Sequence, residues 1–305
     1  MGTRRKDRGR PIKILGESPR GRMTRVPGAR LEVLGLYVAL STALGGSAWA
    51  DGMADLGKCA TTPDLDLRTQ YCSRAIQSSQ LSGTNLATAF IIRGDAYEAK
   101  EDYDRAIQDY DQALRLNPTS AAAFLGRATA YDRKGDPDRA IQDYNQVLRL
   151  VPTDAEALRA RGILRFVLGQ YAAAQPDLAE AAALNPTDAY APLWRYLARA
   201  RAGQEGRADL AASAQRLDLA TWPGPVVALY LGNTTPEALL AAARNSDPQT
   251  QREQQCEAYF FLREQALLRG DHAEALRLFR ATLDTGVTRF FQYDAARAEL
   301  RRLSP

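Results

Sequence analysis

The sequence predicts an all-α fold, a solenoid of stacked helix–turn–helix units, because one 34-residue block occurs three times in succession. The blocks are residues 87–120, 121–154 and 155–188. Each block has alanine at one fixed position and proline at another: Ala106, Ala140, Ala174, Pro118, Pro152 and Pro186. A unit of this size cannot cover its own apolar face, so neighbouring units have to stack.

The second block shows why each unit should form two helices. Phe124, Ala128 and Tyr131 recur at spacings of four and three, which is typical of the buried face of a helix. Gly135 ends this helix as a C-cap, and Asp136 begins the next as an N-cap. Small residues recur at two positions where the paired helices should cross closely: Gly94, Ala128, Gly162, Ala106, Ala140 and Ala174.

The rest of the chain departs from this regular pattern. In the third block Arg165 replaces an aromatic residue, and Pro176 lies where the second helix should run, so that helix starts late or bends. A fourth, degenerate block extends the repeats to residue 222, which gives a repeat region at 87–222. Residues 223–255 are expected to form a helical connector. An isolated fifth unit follows in 256–305, with Arg263 where a small residue is usual, and it ends in an amphipathic helix over Phe290–Leu303.

The 34-residue period and its punctuation resemble the tetratricopeptide repeat (TPR). In that family the first helices of successive units line a concave groove, through the second, fifth, ninth, twelfth and thirteenth positions of each unit. The resemblance therefore implies a partner-binding groove at these residues: Ile91, Asp95, Leu125, Thr129, Arg159, Ile163, Phe166, Val167, Leu193 and Leu197. This groove would pass from acidic to apolar.

Two uses of the apolar half of the groove stay open at this point. It could receive a helix or an extended segment of a partner. Alternatively, Phe166, Leu193 and Leu197 are buried by the C-terminal part of the same chain. Capture of a C-terminal carboxylate is not expected, because TPR domains that use this mode have Lys and Asn at places held here by Ile91 and Asp95.

The N-terminal residues 1–50 are expected to be a cleaved signal peptide. They combine an arginine-rich start, an apolar run over Val33–Leu44 and the small-x-small ending Ala48-Trp49-Ala50. Translation could start at Met1 or at Met23, and an uncleaved membrane anchor is the alternative. The leader contains ten Lys and Arg against three Asp and Glu, and the remaining residues contain 30 against 33. The net charge of +4 therefore reflects the leader and does not indicate nucleic-acid binding.

The cysteines agree with export to an oxidising compartment, which we take to be the periplasm. Cys59 and Cys72 lie 13 residues apart in the N-terminal helical segment 51–86 and are predicted to form a disulfide. The alternative is two unpaired buried thiols. Cys256 is left over and is expected to be a buried apolar side chain.

The sequence indicates no catalytic chemistry, and we predict that the protein is not an enzyme. His272 is the only histidine, which excludes multi-histidine zinc sites, and no phosphate-binding glycine motif is present. The acidic residues Asp102, Asp104, Asp109 and Asp111 fall at turn and outer-helix spacings and are interpreted as a solvated face. No catalytic, cofactor-binding or metal-ligating residue, cofactor or small-molecule substrate is therefore expected.

The segments after the third block resemble the NlpI family of periplasmic TPR lipoproteins. The resemblance lies in PLWRYLA at 192–198, VVALYLGN at 226–233 and TPEAL at 235–239, followed by the isolated unit and the closing helix. It implies an adaptor that links a processing protease to peptidoglycan hydrolases and that forms homodimers. A structural or assembly subunit of an envelope complex is the alternative. A lipid anchor is not expected, because Cys59 lies well beyond the apolar run.

Overall fold

The structure, a computed structural model, describes residues 47–287, with burial described from Gly52 onward. These residues form fourteen α-helices and contain no strand. The first eight helices are α1 Ser47–Thr61, α2 Leu65–Gln77, α3 Gly83–Ala99, α4 Tyr103–Leu116, α5 Ala121–Lys134, α6 Pro137–Leu150, α7 Ala155–Val167 and α8 Tyr171–Leu184. The remaining six are α9 Tyr190–Arg201, α10 Arg207–Ala214, α11 Gly224–Tyr230, α12 Pro236–Ala242, α13 Pro248–Leu268 and α14 His272–Asp284.

The three 34-residue blocks coincide with three packed helix pairs, α3–α4, α5–α6 and α7–α8. Each pair also packs on the next, so the predicted all-α solenoid is confirmed. The fourth block forms α9 and the short α10, and the fifth forms the long α13 and α14. The expected closing helix over Phe290–Leu303 and the leader residues 1–46 lie outside the described residues.

The turns within the pairs follow from their local sequence. The side chains of Asp102 and Asp136 each accept a hydrogen bond from a backbone N–H of the helix they begin. Gly135 has φ of +83°, the left-handed conformation that ends α5 without a Cβ clash. In the third unit Gln170 holds the capping place and makes no side-chain cap.

Small residues bring the helices of a pair together, as expected. A Cβ atom at Gly126 would lie 2.5 Å from the ring of Tyr110, and one at Gly162 would lie 2.6 Å from the Cγ of Leu178. Ala106, Ala140 and Ala174 are fully buried at the second position of close approach: they have no exposed surface.

The proline in the third unit does not delay the start of its helix. α8 begins at Tyr171, the same place in the block as Tyr103 in α4, and continues through Pro176. The late start allowed by the sequence is therefore wrong. Proline supplies no N–H at this point, so one intrahelical hydrogen bond is missing from α8.

The N-terminal pair α1–α2 packs on α3 and extends the stack. Cys59 in α1 and Cys72 in α2 are joined by a disulfide with an S–S distance of 2.08 Å, as the sequence predicts. No helix within residues 47–287 is long and apolar enough to cross a membrane.

Candidate functional site: a groove half filled by its own chain

Part of the predicted groove is accessible. Ile91, Asp95, Thr129, Arg159 and Ile163 are half-buried. Val167, at the end of α7, is 36 % exposed. These six side chains come from the first helices of the first three units, so the repeat register places them along one surface. We call this set the open half of the groove.

Four residues assigned to the groove are not available to a partner. Leu125 belongs to the core between the first two units, and Phe166, Leu193 and Leu197 belong to a larger core around α9. Leu193 and Leu197 have no exposed surface, and Phe166 has 5 %. The prediction that these four residues line an accessible groove is therefore wrong. Of the two alternatives for the apolar half, the structure has the one in which the chain buries it.

The helix α13 fills the apolar half with aromatic side chains. Phe260 and Phe261 lie with ring centroids 5.4 Å and 5.5 Å from that of Trp194 in α9. Phe166 approaches the other side of Trp194, at 5.0 Å and nearly edge-on. Aromatic pairs in this geometry contribute beyond the apolar area that they bury. The long helix thus occupies the position that a partner's helix would take.

Polar contacts tie α13 to the same surface. The carboxylate of Glu257 accepts hydrogen bonds from the hydroxyl of Tyr190 at 2.9 Å and from the Nε1 of Trp222 at 2.5 Å. Burial raises the pKa of Tyr190, and the neighbouring Glu257 raises it further, so the hydroxyl stays a donor. Arg201 reaches Glu264 of α13 at 3.2 Å. α13 is therefore an integral part of the core.

Arg263 on α13 explains an exception seen in the sequence. It stands where the other units have a small residue, and its guanidinium carbon lies 4.1 Å and 4.5 Å from the ring centroids of Phe260 and Phe279. The guanidinium also bonds to Glu264. A flat cation between two rings therefore replaces the close helix crossing of the other units.

The open half of the groove is polar, and its carboxylates lie beside tyrosine hydroxyls. The hydroxyl of Tyr110 donates to Asp95 at 2.8 Å. Burial raises the pKa of Tyr144, and the negative charges of Asp132 and Glu156 act in the same direction. Both tyrosines are buried at the helix crossings, so only their hydroxyls reach the floor of the groove. The result is a surface with carboxylates on a rigid base.

Arg159 supplies the positive charge at the border of the open half. Its Nε lies 3.2 Å from the Oδ2 of Asp188, and its side chain is one quarter exposed. This residue therefore combines access from solvent with a fixed position between the carboxylates and the filled half.

A row of buried ion pairs was missed in the sequence. Three arginines, 34 residues apart, each clamp an aspartate of the paired helix with two parallel hydrogen bonds of 2.7 to 2.8 Å: Arg93 to Asp109, Arg127 to Asp143 and Arg161 to Asp177. The third nitrogen of each arginine reaches a helix of the preceding unit, at Ser73, Asp111 and Asn145 respectively. The row joins consecutive units.

The interpretation of Asp109 as a solvated residue is wrong. It is 5 % exposed, and burial raises its pKa, while the hydrogen bonds and charge of Arg93 lower it. Asp111 also bonds to Arg127. Both constant spacings were visible in the sequence, and reading the arginine and aspartate series together would have revealed the pairs.

Other side chains that could carry chemistry are not arranged for it. Within residues 47–287 no three or more His, Cys, Asp or Glu side chains are placed to hold a metal ion. Burial raises the pKa of the Cys256 thiol to about 11, so it is protonated at neutral pH and a weak nucleophile.

Comparison with known proteins agrees with this geometry. Two tetratricopeptide repeat family models match, one over residues 93–155 and the other over residues 130–199. Residues 93–199 are tetratricopeptide repeats. TPRs in general are non-catalytic scaffolds that bind proteins or peptides, and no catalytic family matches. A search of curated proteins finds no relative of the chain.

Solved TPR structures resemble the fold. A TPR protein from Parabacteroides merdae is 18 % identical, with a TM-score of 0.57 over 83 % of this chain and 98 % of that one. This likeness shows the fold alone. YrrB, a TPR protein with an unusual peptide-binding site, is 18 % identical with a TM-score of 0.43, over 76 % of this chain and 99 % of its own.

Proposed function

We propose that the protein is an exported TPR adaptor that binds a segment of another envelope protein in the open half of its groove. The observation that carries this proposal is the unequal use of one set of helix positions. In the first three units, six of the groove side chains remain accessible, whereas in the fourth they are buried under α13. A surface that the chain does not fill itself is where a partner has room.

The chemistry of the open half sets the kind of segment it would bind. Carboxylates at Asp95, Asp132 and Glu156 favour Lys or Arg side chains, because opposite charges steer and fix a bound chain. Ile163 and Val167 at the other end favour an apolar side chain. A short segment with basic residues followed by an apolar residue fits this order, and Arg159 would take a carboxylate or a backbone carbonyl between them.

The envelope location rests on the leader and on the cysteines. The leader has the features of a signal peptide, and disulfides such as Cys59–Cys72 persist in oxidising compartments. The resemblance to the NlpI family supports a finer proposal, in which the adaptor holds a processing protease beside peptidoglycan hydrolases. A structural subunit of an envelope complex is the second candidate, because a solenoid surface also serves permanent assembly.

Affinity capture from envelope extract tests the proposal with the exported chain as bait. Arg159→Glu and Val167→Asp should each lose the captured protein, because both change accessible groove side chains. Arg216→Glu makes the same charge change on an exposed side chain away from the groove and should capture as the unaltered chain does. Circular dichroism checks that all three variants keep their helicity.

The captured proteins distinguish the two candidates. A protease or a wall hydrolase that is lost from both groove variants supports the adaptor. A stable complex of fixed stoichiometry supports the subunit. Equal capture by the unaltered chain and both groove variants would refute binding in the open half of the groove.

A further inference from the structure

The outward face of α8 differs from the same face of α4 and α6. In α4 and α6 three exposed positions are charged: Asp104, Arg105 and Arg115 in the first unit, and Asp138, Arg139 and Arg149 in the second. At the matching positions, 68 and 34 residues further on, α8 has Ala172, Ala173 and Ala183, all exposed. Pro176 and Glu180 are also exposed on this helix, so Glu180 is its one exposed charge.

Larger apolar side chains extend this face at both ends of α8. Leu168, 38 % exposed, stands in the turn before α8 where the earlier units have Lys100 and Lys134. Those lysines bridge to Asp66 and Asp104 of the preceding units, and the third unit has no such bridge. Leu184, at the other end, is 42 % exposed. The face thus combines lost charges with gained apolar surface, which marks an interaction site.

An open cleft of about 450 Å³ adjoins the face, between α6, α7 and α8. Its apolar lining includes Leu148, Pro152, Leu158 and Pro176. Its lining also includes one exposed charge of each sign, which are Arg149 and Glu180. Within the described part of the chain neither of these two side chains has an ion-pair partner.

We infer that this face, formed by Leu168, the outward side of α8 and the adjoining cleft, is the interface at which two copies of the chain associate. A two-fold axis brings identical patches together, so a self-complementary patch needs both halves of each pair. The cleft has both: Arg149 of one copy meets Glu180 of the other. An uncharged face of small residues lets two α8 helices approach closely and brings no like charges together.

The size of the patch sets the strength of the association. α8 is about 21 Å long. With the turn and the cleft, two copies would bury on the order of 1,000 Å², at the small end of specific interfaces. The dimer should therefore dissociate in the micromolar range. This interface lies on the second helices of the units, and the groove on the first, so dimerisation and groove binding are separable.

Sedimentation velocity of the exported chain at about 1 to 100 µM tests the inference. The unaltered chain should shift with concentration to twice the mass of one chain. Ala172→Asp/Ala183→Arg gives α8 the residues that α4 and α6 have, with each charge at the helix end that favours it. This variant should stay helical and dissociate roughly 100-fold more readily. Ala208→Asp/Ala212→Arg is the matched control on α10, where both alanines are exposed, and it should dimerise normally.

A charge exchange then tests the proposed cross-contact. Arg149→Glu and Glu180→Arg should each weaken the dimer, and the double variant should restore it. A chain that is monomeric throughout the concentration range would overturn the inference. So would a dimer that the α8 double variant leaves unchanged. Because both variants leave the open half of the groove intact, partner capture should be retained in them, which separates this result from the proposed function.

Discussion

The groove positions of the first two repeats and those of the fourth follow one helix register, yet they have opposite surroundings. In the first two repeats the side chains lie beside tyrosine hydroxyls and remain in part accessible, with Asp95 as an example. In the fourth repeat Leu193 and Leu197 are wholly buried against α13. Repeat register therefore fixes where a side chain stands on its helix, and the chain beyond the repeats decides whether it meets solvent.

The largest expected effect is on the filled half. Phe261→Ala removes a fully buried ring that packs on Trp194, and it should lower the free energy of unfolding by about 3–5 kcal/mol. Val167→Ala, in the open half, should change it by less than about 0.5 kcal/mol. Urea denaturation measures both. Equal, small losses would mean that α13 only rests on the groove.

A smaller effect, dependent on pH, is expected for the ion-pair row in the first repeat. Arg93→Met leaves the buried carboxylate of Asp109 without its cation and should cost about 3 kcal/mol at pH 7. Arg93 lowers the pKa of Asp109 against the effect of burial, so that pKa should rise further in the variant.

The sign of the pH dependence follows from this shift. A carboxyl with a raised pKa in the folded state stabilises the fold below its pKa and loses that contribution as the pH rises through it. The deficit of Arg93→Met should therefore shrink as the pH is lowered from 7 through the pKa of Asp109. Unfolding free energies of both proteins across that range test this, and a constant deficit would show that the charge of Asp109 is not involved.

The smallest expected effect concerns the helix crossing in the second repeat. Ala140→Leu adds volume at a position with no exposed surface and should cost about 1–3 kcal/mol. An unchanged melting temperature would contradict the close crossing. Ala208→Leu, at an exposed position of α10, is the matched control and should have little effect.

The sequence allowed the helix pairs, the caps and the disulfide to be predicted, because each depends on residues within one repeat or on a short separation. The role of Asp109 was missed because its partner, Arg93, lies on the other helix of the pair, and only a joint reading of two 34-residue series reveals it. The filling of the groove by Phe260 and Phe261 could not be predicted. It depends on how a unit about 60 residues away packs on α9, which a repeat period does not specify.

The most direct test compares the accessibility of two groove positions, since both Val167 and Leu197 were expected from the sequence to face a partner. Val167→Cys and Leu197→Cys are each treated with a maleimide under native conditions, and labelling is followed by mass spectrometry; Cys256 is buried and serves as an internal protected thiol. The half-filled groove predicts rapid labelling at position 167 and labelling at position 197 only through unfolding, as slow as that of Cys256. Equal, rapid labelling at both positions would contradict it.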